Sequence, residues 1–267
     1  MSTWHLIVEP APLPGSWNMA VDEHLYRLAE RSPRTFLRFY QWERPTASLG
    51  YSQEADKVVD TAFCAAHGID IVRRMTGGKL VLHHREVTYS VASSDAAVFT
   101  ETLRESYRLI SRALLGGLAI LGVAARLAET SPPAYIKGTM PCFAFPARDE
   151  IEIGGRKIVG SAQKRTGDVF LQHGSIPLEK DEALLAAVSA PGETAESQGM
   201  TSLSEALGPP RRLRRRRRPP RPGLRRPLRG LVRALRPVAR RPRGRPRPPG
   251  LKVRLGRLDL PAGVPAR

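Results

Sequence analysis

Lys157 follows Cys142 by fifteen positions in MPCFAFPARDEIEIGGRKIVGSAQKR (140–165), and a thiol with an ammonium near it can do acyl chemistry. The thiolate is the nucleophile, and a neighbouring cation favours it over the thiol. A positioned lysine can also hold the oxyanion that forms when a carbonyl is attacked. Both residues have an ordinary alternative, since free cysteine is often a small buried apolar residue and a strand lysine often faces water. Cys64, inside AFCAAHG, fits that alternative on the apolar face of a short helix. Cys142 differs, because Pro141 before it and the Ala-Phe-Pro run after it put it in a loop. In IEIGGRKIVGSA strict alternation sets Arg156 and Ile158 on one face and Lys157 and Val159 on the other, so one basic residue must turn toward the packed side.

A second stretch, RRMTGGKLVLHH (73–84), joins two arginines, a Gly-Gly turn and two histidines. Glycines let backbone N–H groups point at an oxyanion or phosphate, and arginines add charge. The spacing is neither GxxxxGK[ST] nor GxGxxG, so it is no nucleotide loop of those two kinds. Read alone, a Gly-Gly between strands is more often a plain turn.

The elements that must position these residues follow from periodicity. NMAVDEHLYRLAER (18–31) has apolar residues at 19, 21, 25 and 28, acids early and arginines late, an amphipathic helix. RTFLRFYQW (34–42) and PTASLGYSQ (45–53) read as strands, with Gly50 allowing a turn or a close backbone approach. DTAFCAAHG (60–68) is a short helix with a glycine cap, IDIVRR (69–74) a strand, and LVLHHREVTYSVAS (80–93) ends in β-branched and aromatic residues. ETLRESYRLISRALLGGLAILG (101–122) is the strongest helix pattern, with Gly116 and Gly117 as an interruption point. EIEIGGRKIVGSA (150–162) is a hairpin around Gly154-Gly155, DVFLQHGSIPL (168–178) a strand, DEALLAAVSA (181–190) a helix, and 193–208 a loop entering another helix. Helices and strands mix without βαβ alternation, which predicts an α+β domain with a mixed sheet flanked by helices.

Charge divides the chain. Residues 209–267 hold 21 Arg and 1 Lys against a single Asp, a net of +21, which leaves −3 of the total +18 for residues 1–208. The expected organisation is a globular domain over 1–208 and an Arg/Pro-rich low-complexity tail over 209–267. Spread prolines and self-repulsion predict disorder there. One reading of the tail is an arm for nucleic acid, but it lacks stacking aromatics and the body is acidic. The abrupt change at TSLSEALG/PPRRLRRRRR favours a translated wrong frame of a G+C-rich gene; a frame found intact to Arg267 on resequencing would overturn that. Two separated cysteines, no signal-peptide pattern at the N-terminus and no long apolar run point to a cytoplasmic protein without a membrane partner.

Five blocks, NMAVDEHL, PTASLGYSQ, RRMTGGKLVLHHREVTYSV, CFAFPARDEIEIGGRKIVGSAQKR and LQHGSIPL, occur in the order found in the biotin/lipoate protein ligase and transferase family. The resemblance runs from about residue 3 to 208, and it implies a mixed sheet with flanking helices and acyl transfer to a lysine of a small carrier domain. It also implies that Arg74, Thr76, Gly77, Gly78, His83, Lys157, Gly160, Ser161 and Ala162 line the site, with His173, Gly174 and Ser175 on the adjacent strand. Lys79 and His84 depart from the family's pattern, which has Ala or Gly and Asp at those places. Cys142 before the Lys157 hairpin resembles the cysteine-dependent octanoyltransferase branch known as the LipM type. That resemblance implies Cys142 and Lys157 as catalytic residues and octanoyl-acyl carrier protein as donor. A lipoyl domain or glycine-cleavage H protein would be the acceptor, with no metal or nucleotide. His83 and His173 are candidates for proton transfer, although strand histidines are more often structural. The alternatives are an ATP-dependent lipoate-protein ligase and a nucleic-acid-binding protein acting through its tail.

Overall fold

The computed structural model describes residues 4–99, 102–130, 148–190 and 199–208, together with the backbone of Val253–Leu255. Cys142 and the tail, apart from those three residues, lie outside the described residues. The strands are β1 (Trp4–Val8), β2 (Thr35–Tyr40), β3 (Thr46–Leu49), β4 (Asp70–Arg73), β5 (Val81–His83), β6 (Glu86–Ser93), β7 (Arg126–Leu127), β8 (Ile151–Ile153), β9 (Arg156–Thr166), β10 (Val169–Pro177) and β11 (Val253–Leu255). The helices are α1 (Gly15–Arg31), α2 (Ala55–Val58), α3 (Thr61–His67), α4 (Leu103–Ile120), α5 (Glu182–Val188) and α6 (Leu203–Leu207).

One sheet of eight strands runs β11-β1-β2-β6-β10-β9-β8-β7, and a second of three runs β4-β3-β5. The β1–β11, β1–β2 and β3–β4 pairs are parallel and the rest antiparallel, so both sheets are mixed. β11 lies within the 209–267 segment expected to be disordered, at the sheet edge beside Trp4, His5 and Leu6.

Period-2 alternation sorts the large sheet's two faces. Leu37, Phe39, Val87, Tyr89, Val91, Phe170 and Ile176 meet Ile110, Leu114 and Leu118 of α4. Phe36, Ala92, Val169 and Leu171 meet Val21, Leu25, Tyr26 and Ala29 of α1. A third cluster joins Ala47, Leu49, Cys64, Ile69 and Val188 between the small sheet and α3 and α5. Cys64 is fully buried there, and burial pushes its thiol above the ordinary value, so it is packing.

Several elements differ from their sequence patterns for identifiable reasons. α4 runs through Gly116-Gly117 to Ile120. Each mid-helix glycine costs about 1 kcal/mol relative to alanine, which the burial of Ile110, Leu114 and Leu118 outweighs. α1 starts at Gly15, before the run that patterns as a helix, so Asp22 sits in its second turn rather than near its start. Arg85, at φ 51°, breaks 80–93 into β5 and β6. Among the described residues no helix is long and apolar enough to cross a membrane.

Candidate active site

The α1 face of the large sheet turns polar toward one end, and a cleft of about 240 Å³ opens there. Its lining brings together Arg74, Gly77, Gly78, Lys79, His83, Lys157, Gly160, Ser161, Ala162, His173, Gly174 and Ser175 from three separated stretches of sequence. Among the described residues, Thr76 is the sequence-derived site residue that does not line it; it is fully buried and hydrogen-bonded to His173. His84 does not line the cleft either, and its Nδ1 lies 3.2 Å from Asp181.

The loop after β4 is held by a buried arginine. Arg74 donates to the Ser48 carbonyl and hydroxyl, to Gly77 O at 3.2 Å and to Lys79 O at 2.9 Å. A Cβ added to Gly50 would stand 1.9 Å from the Gly78 carbonyl oxygen, so the chain at Gly50 is the floor on which the Gly-Gly loop rests. The close-approach reading of Gly50 describes it; the turn begins one residue later.

Lys157 reaches the cleft through a fault in its strand. Adjacent residues Ile151 and Glu152 of β8 oppose Val159 and Lys157 of β9, so Ile158 is an extra residue. A bulge of this kind shifts the alternation by one and re-aims a side chain. It brings Lys157 to the face of Gly160 and Ala162, and the latter sits opposite His173. Strict alternation across 156–159 therefore fails here: Ile158 and Val159 both enter the core, while Arg156 is exposed and pairs with Glu205 at 2.8 Å. Gly154 and Gly155 both have positive φ, 58° and 80°, as a two-residue hairpin turn requires. The Lys157 ammonium is 2.6 Å from Glu150 Oε1, with side chains 3% and 8% exposed.

Two hydroxyl–histidine–carboxylate chains stand behind the cleft walls. In one, Thr76 Oγ1 is 2.7 Å from His173 Nε2, and His173 Nδ1 is 3.1 Å from Asp22 Oδ2. Asp22 also accepts from Arg38, Tyr40 and Ser90 at 2.8–3.0 Å. Burial pushes the Asp22 carboxyl up, but the His173 hydrogen bond and the Arg38 charge outweigh it and hold it below the ordinary value. Burial pushes His173 down, against the pull of Asp22. A neutral His173 beside an ionised Asp22 carries its proton on Nδ1 and accepts from Thr76 at Nε2.

In the other chain, Ser48 Oγ is 2.6 Å from His83 Nε2, and His83 Nδ1 is 2.8 Å from Glu86 Oε1. Trp42 stacks on the His83 ring at 4.0 Å. Burial raises the Glu86 carboxyl, and His83, Ser175 and Thr88 together lower it further than burial lifts it. Both chains look like nucleophile triads, but Ser48 and Thr76 are fully buried. They fix the walls.

Pattern reading missed the cleft-lining Met19, Tyr40, Trp42, Val81, Thr88 and Gln163, and among the acids at or behind the walls it missed Asp22, Glu86 and Glu150. Asp22 passes for a helix-start acid, Glu86 for a polar strand residue and Glu150 for one of the alternating acids of EIEI. A buried histidine needs an acceptor for its Nδ1 proton, and that was the available signal.

Residues 14–214 match the family described as the lipoyl protein ligase A/B catalytic domain. Among curated relatives, the chain is similar to Octanoyltransferase LipM of Carboxydothermus hydrogenoformans, 43% identical over 183 residues, covering 68% of this chain and 67% of the relative. It is likewise similar to Octanoyltransferase LipM of Kyrpidia tusciae, 43% identical over 201 residues, covering 72% and 73%. Among solved structures, a putative lipoate protein ligase from T. acidophilum with bound lipoic acid superposes with a TM-score of 0.67 at 22% identity, covering 88% of this chain and 84% of that one. That likeness bears on the fold alone, and it is the mixed sheet with flanking helices described above. With the family match spanning most of the described residues and the whole cleft, the chain belongs to the lipoyl protein ligase A/B catalytic domain family.

Proposed function

We propose that this chain is an octanoyltransferase of protein lipoylation, delivering octanoyl to the lysine of a lipoyl domain. The observation that carries the reading is its 43% identity to relatives named octanoyltransferase over 68% and 72% of the chain. The finer steps rest on chemistry. The Cys142 thiol gives up its proton, its thiolate attacks the thioester carbonyl of octanoyl-acyl carrier protein, the carrier's C–S bond breaks, and the carrier sulfur leaves as a thiol carrying that proton. The lysine amine of a lipoyl domain or glycine-cleavage H protein then attacks the Cys142 thioester, the new C–N bond forms, and Cys142 leaves as thiol with the amine's proton. Exchange between thioesters is nearly isoenergetic, so a cysteine suits the first step. Lys157 donates to the acyl oxygen as it becomes an oxyanion. The Gly77-Gly78 loop, Gly160 to Ala162, and Gly174 with the Arg74, His83 and His173 walls orient the acyl group.

The test is intact-protein mass after incubation with octanoyl-acyl carrier protein. Wild type should gain one octanoyl group and Cys142→Ala none. Product formed only from ATP and free lipoate would make the chain a ligase instead.

A further inference from the structure

We infer that Glu150 is a positioning residue for the acyl-transfer step, holding the Lys157 ammonium in the one direction that reaches the acyl carbonyl. The inference rests on the role given to Lys157 above. Lysine is a poor pre-organised donor: its stem has four rotatable bonds and its ammonium three rotating protons. Here the stem emerges at a bulge, where the strand alone leaves its direction loosely set. A carboxylate oxygen at 2.6 Å takes one N–H and so fixes the rotation of the other two.

Glu150 is itself rigid. Asp149 N donates to Ala128 O at 2.9 Å and Ala128 N donates to Glu150 O at 2.8 Å, a two-way backbone clamp beside β7. The preceding Asp149 has φ 69° and is gripped by Arg104 and Arg108 of α4 at 3.3 and 3.2 Å. Lys157 is clamped as firmly. Its N–H donates to Gly199 O at 2.6 Å and its carbonyl accepts from Thr201 N at 2.8 Å, on the edge away from β8. Two backbone anchors on different elements thus meet through the Lys157–Glu150 contact, and both side chains line the cleft. An ion pair serving only stability needs no such aim.

The test is a mutant cycle on the full chain with octanoyl-acyl carrier protein and a lipoyl domain, using Glu150→Gln, Lys157→Met and the double variant. Gln keeps the volume and an acceptor oxygen but drops the charge. Glu150→Gln should lower kcat about ten-fold or more, with KM for the donor within about two-fold, since misaimed groups cost rate rather than ground-state binding. The double variant should be no slower than Lys157→Met alone, because a residue acting through another shows no separate loss. Wild-type kcat in Glu150→Gln, or losses that multiply in the double, would overturn the inference. Should Glu150→Gln fail to fold, Glu150→Asp carries the same cycle, keeping the charge but drawing it back by one methylene. A wild type active only with ATP and free acid sinks the transferase reading, and the cycle measured on that reaction still decides the role of Glu150.

Discussion

At Lys157 the ammonium and the Glu150 carboxylate are both almost wholly buried, so their energetics are those of a desolvated pair. Two charges out of water gain little net stability together, but removing one leaves the other charged in a poor solvent. Lys157→Met should therefore lose transfer and also destabilise the fold by about 3–5 kcal/mol. Arg156→Met next to it breaks a half-exposed contact with Glu205 and should cost about 1 kcal/mol or less. Urea midpoints of the two variants check this. Equal midpoints would mean that the Lys157 pair is solvated in a way its burial denies.

At the scale of elements, the Gly-Gly loop is held from both sides, by Arg74 above and Gly50 below. Gly50→Ala drives a methyl into the Gly78 carbonyl, and the backbone there has nowhere to yield. Overpacking of this kind costs about 1–3 kcal/mol, and here it should also displace the loop and weaken donor binding. Gly77→Ala meets nothing within 4 Å and should leave stability nearly unchanged. Thermal melts of the pair test it; a Gly50→Ala melt as high as that of Gly77→Ala would contradict the contact. Most of these elements were legible in the sequence. Asp60 and Gly68 cap α3 as their residue types suggest, and Gly154-Gly155 turn the hairpin. The Lys157 bulge was not legible, because an inserted residue changes the face without changing the composition. β1 and the two-residue β7 were missed as well. β1 is only five residues long, and β7 owes its existence to a partner, β8, that sequence periodicity cannot see.

Across the whole molecule the buried polar network is an acid-sensitive device. Asp22, Glu86 and His173 are all held below their ordinary values in the folded state. For each, the unfolded chain binds more protons than the folded one between the two values, so stability is present above the ordinary value and lost as pH falls. The loss should begin below about pH 6.5 through His173 and steepen below about pH 4 through the two carboxylates. Urea midpoints at pH 7, 5.5, 4.5 and 3.5 follow the decline; a flat profile from pH 7 to 4.5 would remove His173 from it. These three residues tie α1, β6 and β10 together with the Thr76 loop, so acid should loosen the site and the fold as one unit.

The two hydroxyl–histidine–carboxylate chains also bear on what happens to an acyl group while it waits for its acceptor. Water competes with an amine for any thioester, and while no amine is present a nearby imidazole that can take water's proton speeds the loss. Here His173 Nε2 faces Thr76, His83 Nε2 faces Ser48, and both Nδ1 atoms face carboxylates. No lone pair on either ring is turned toward the cleft, so neither imidazole offers water a base there. The octanoyl-enzyme should accordingly be long-lived without acceptor, and its mass followed over time measures this. Fast decay would show that leakage is governed elsewhere; slow decay is the expected result. The fidelity of transfer, amine over water, would then be a property of hydrogen bonds that never touch the substrate.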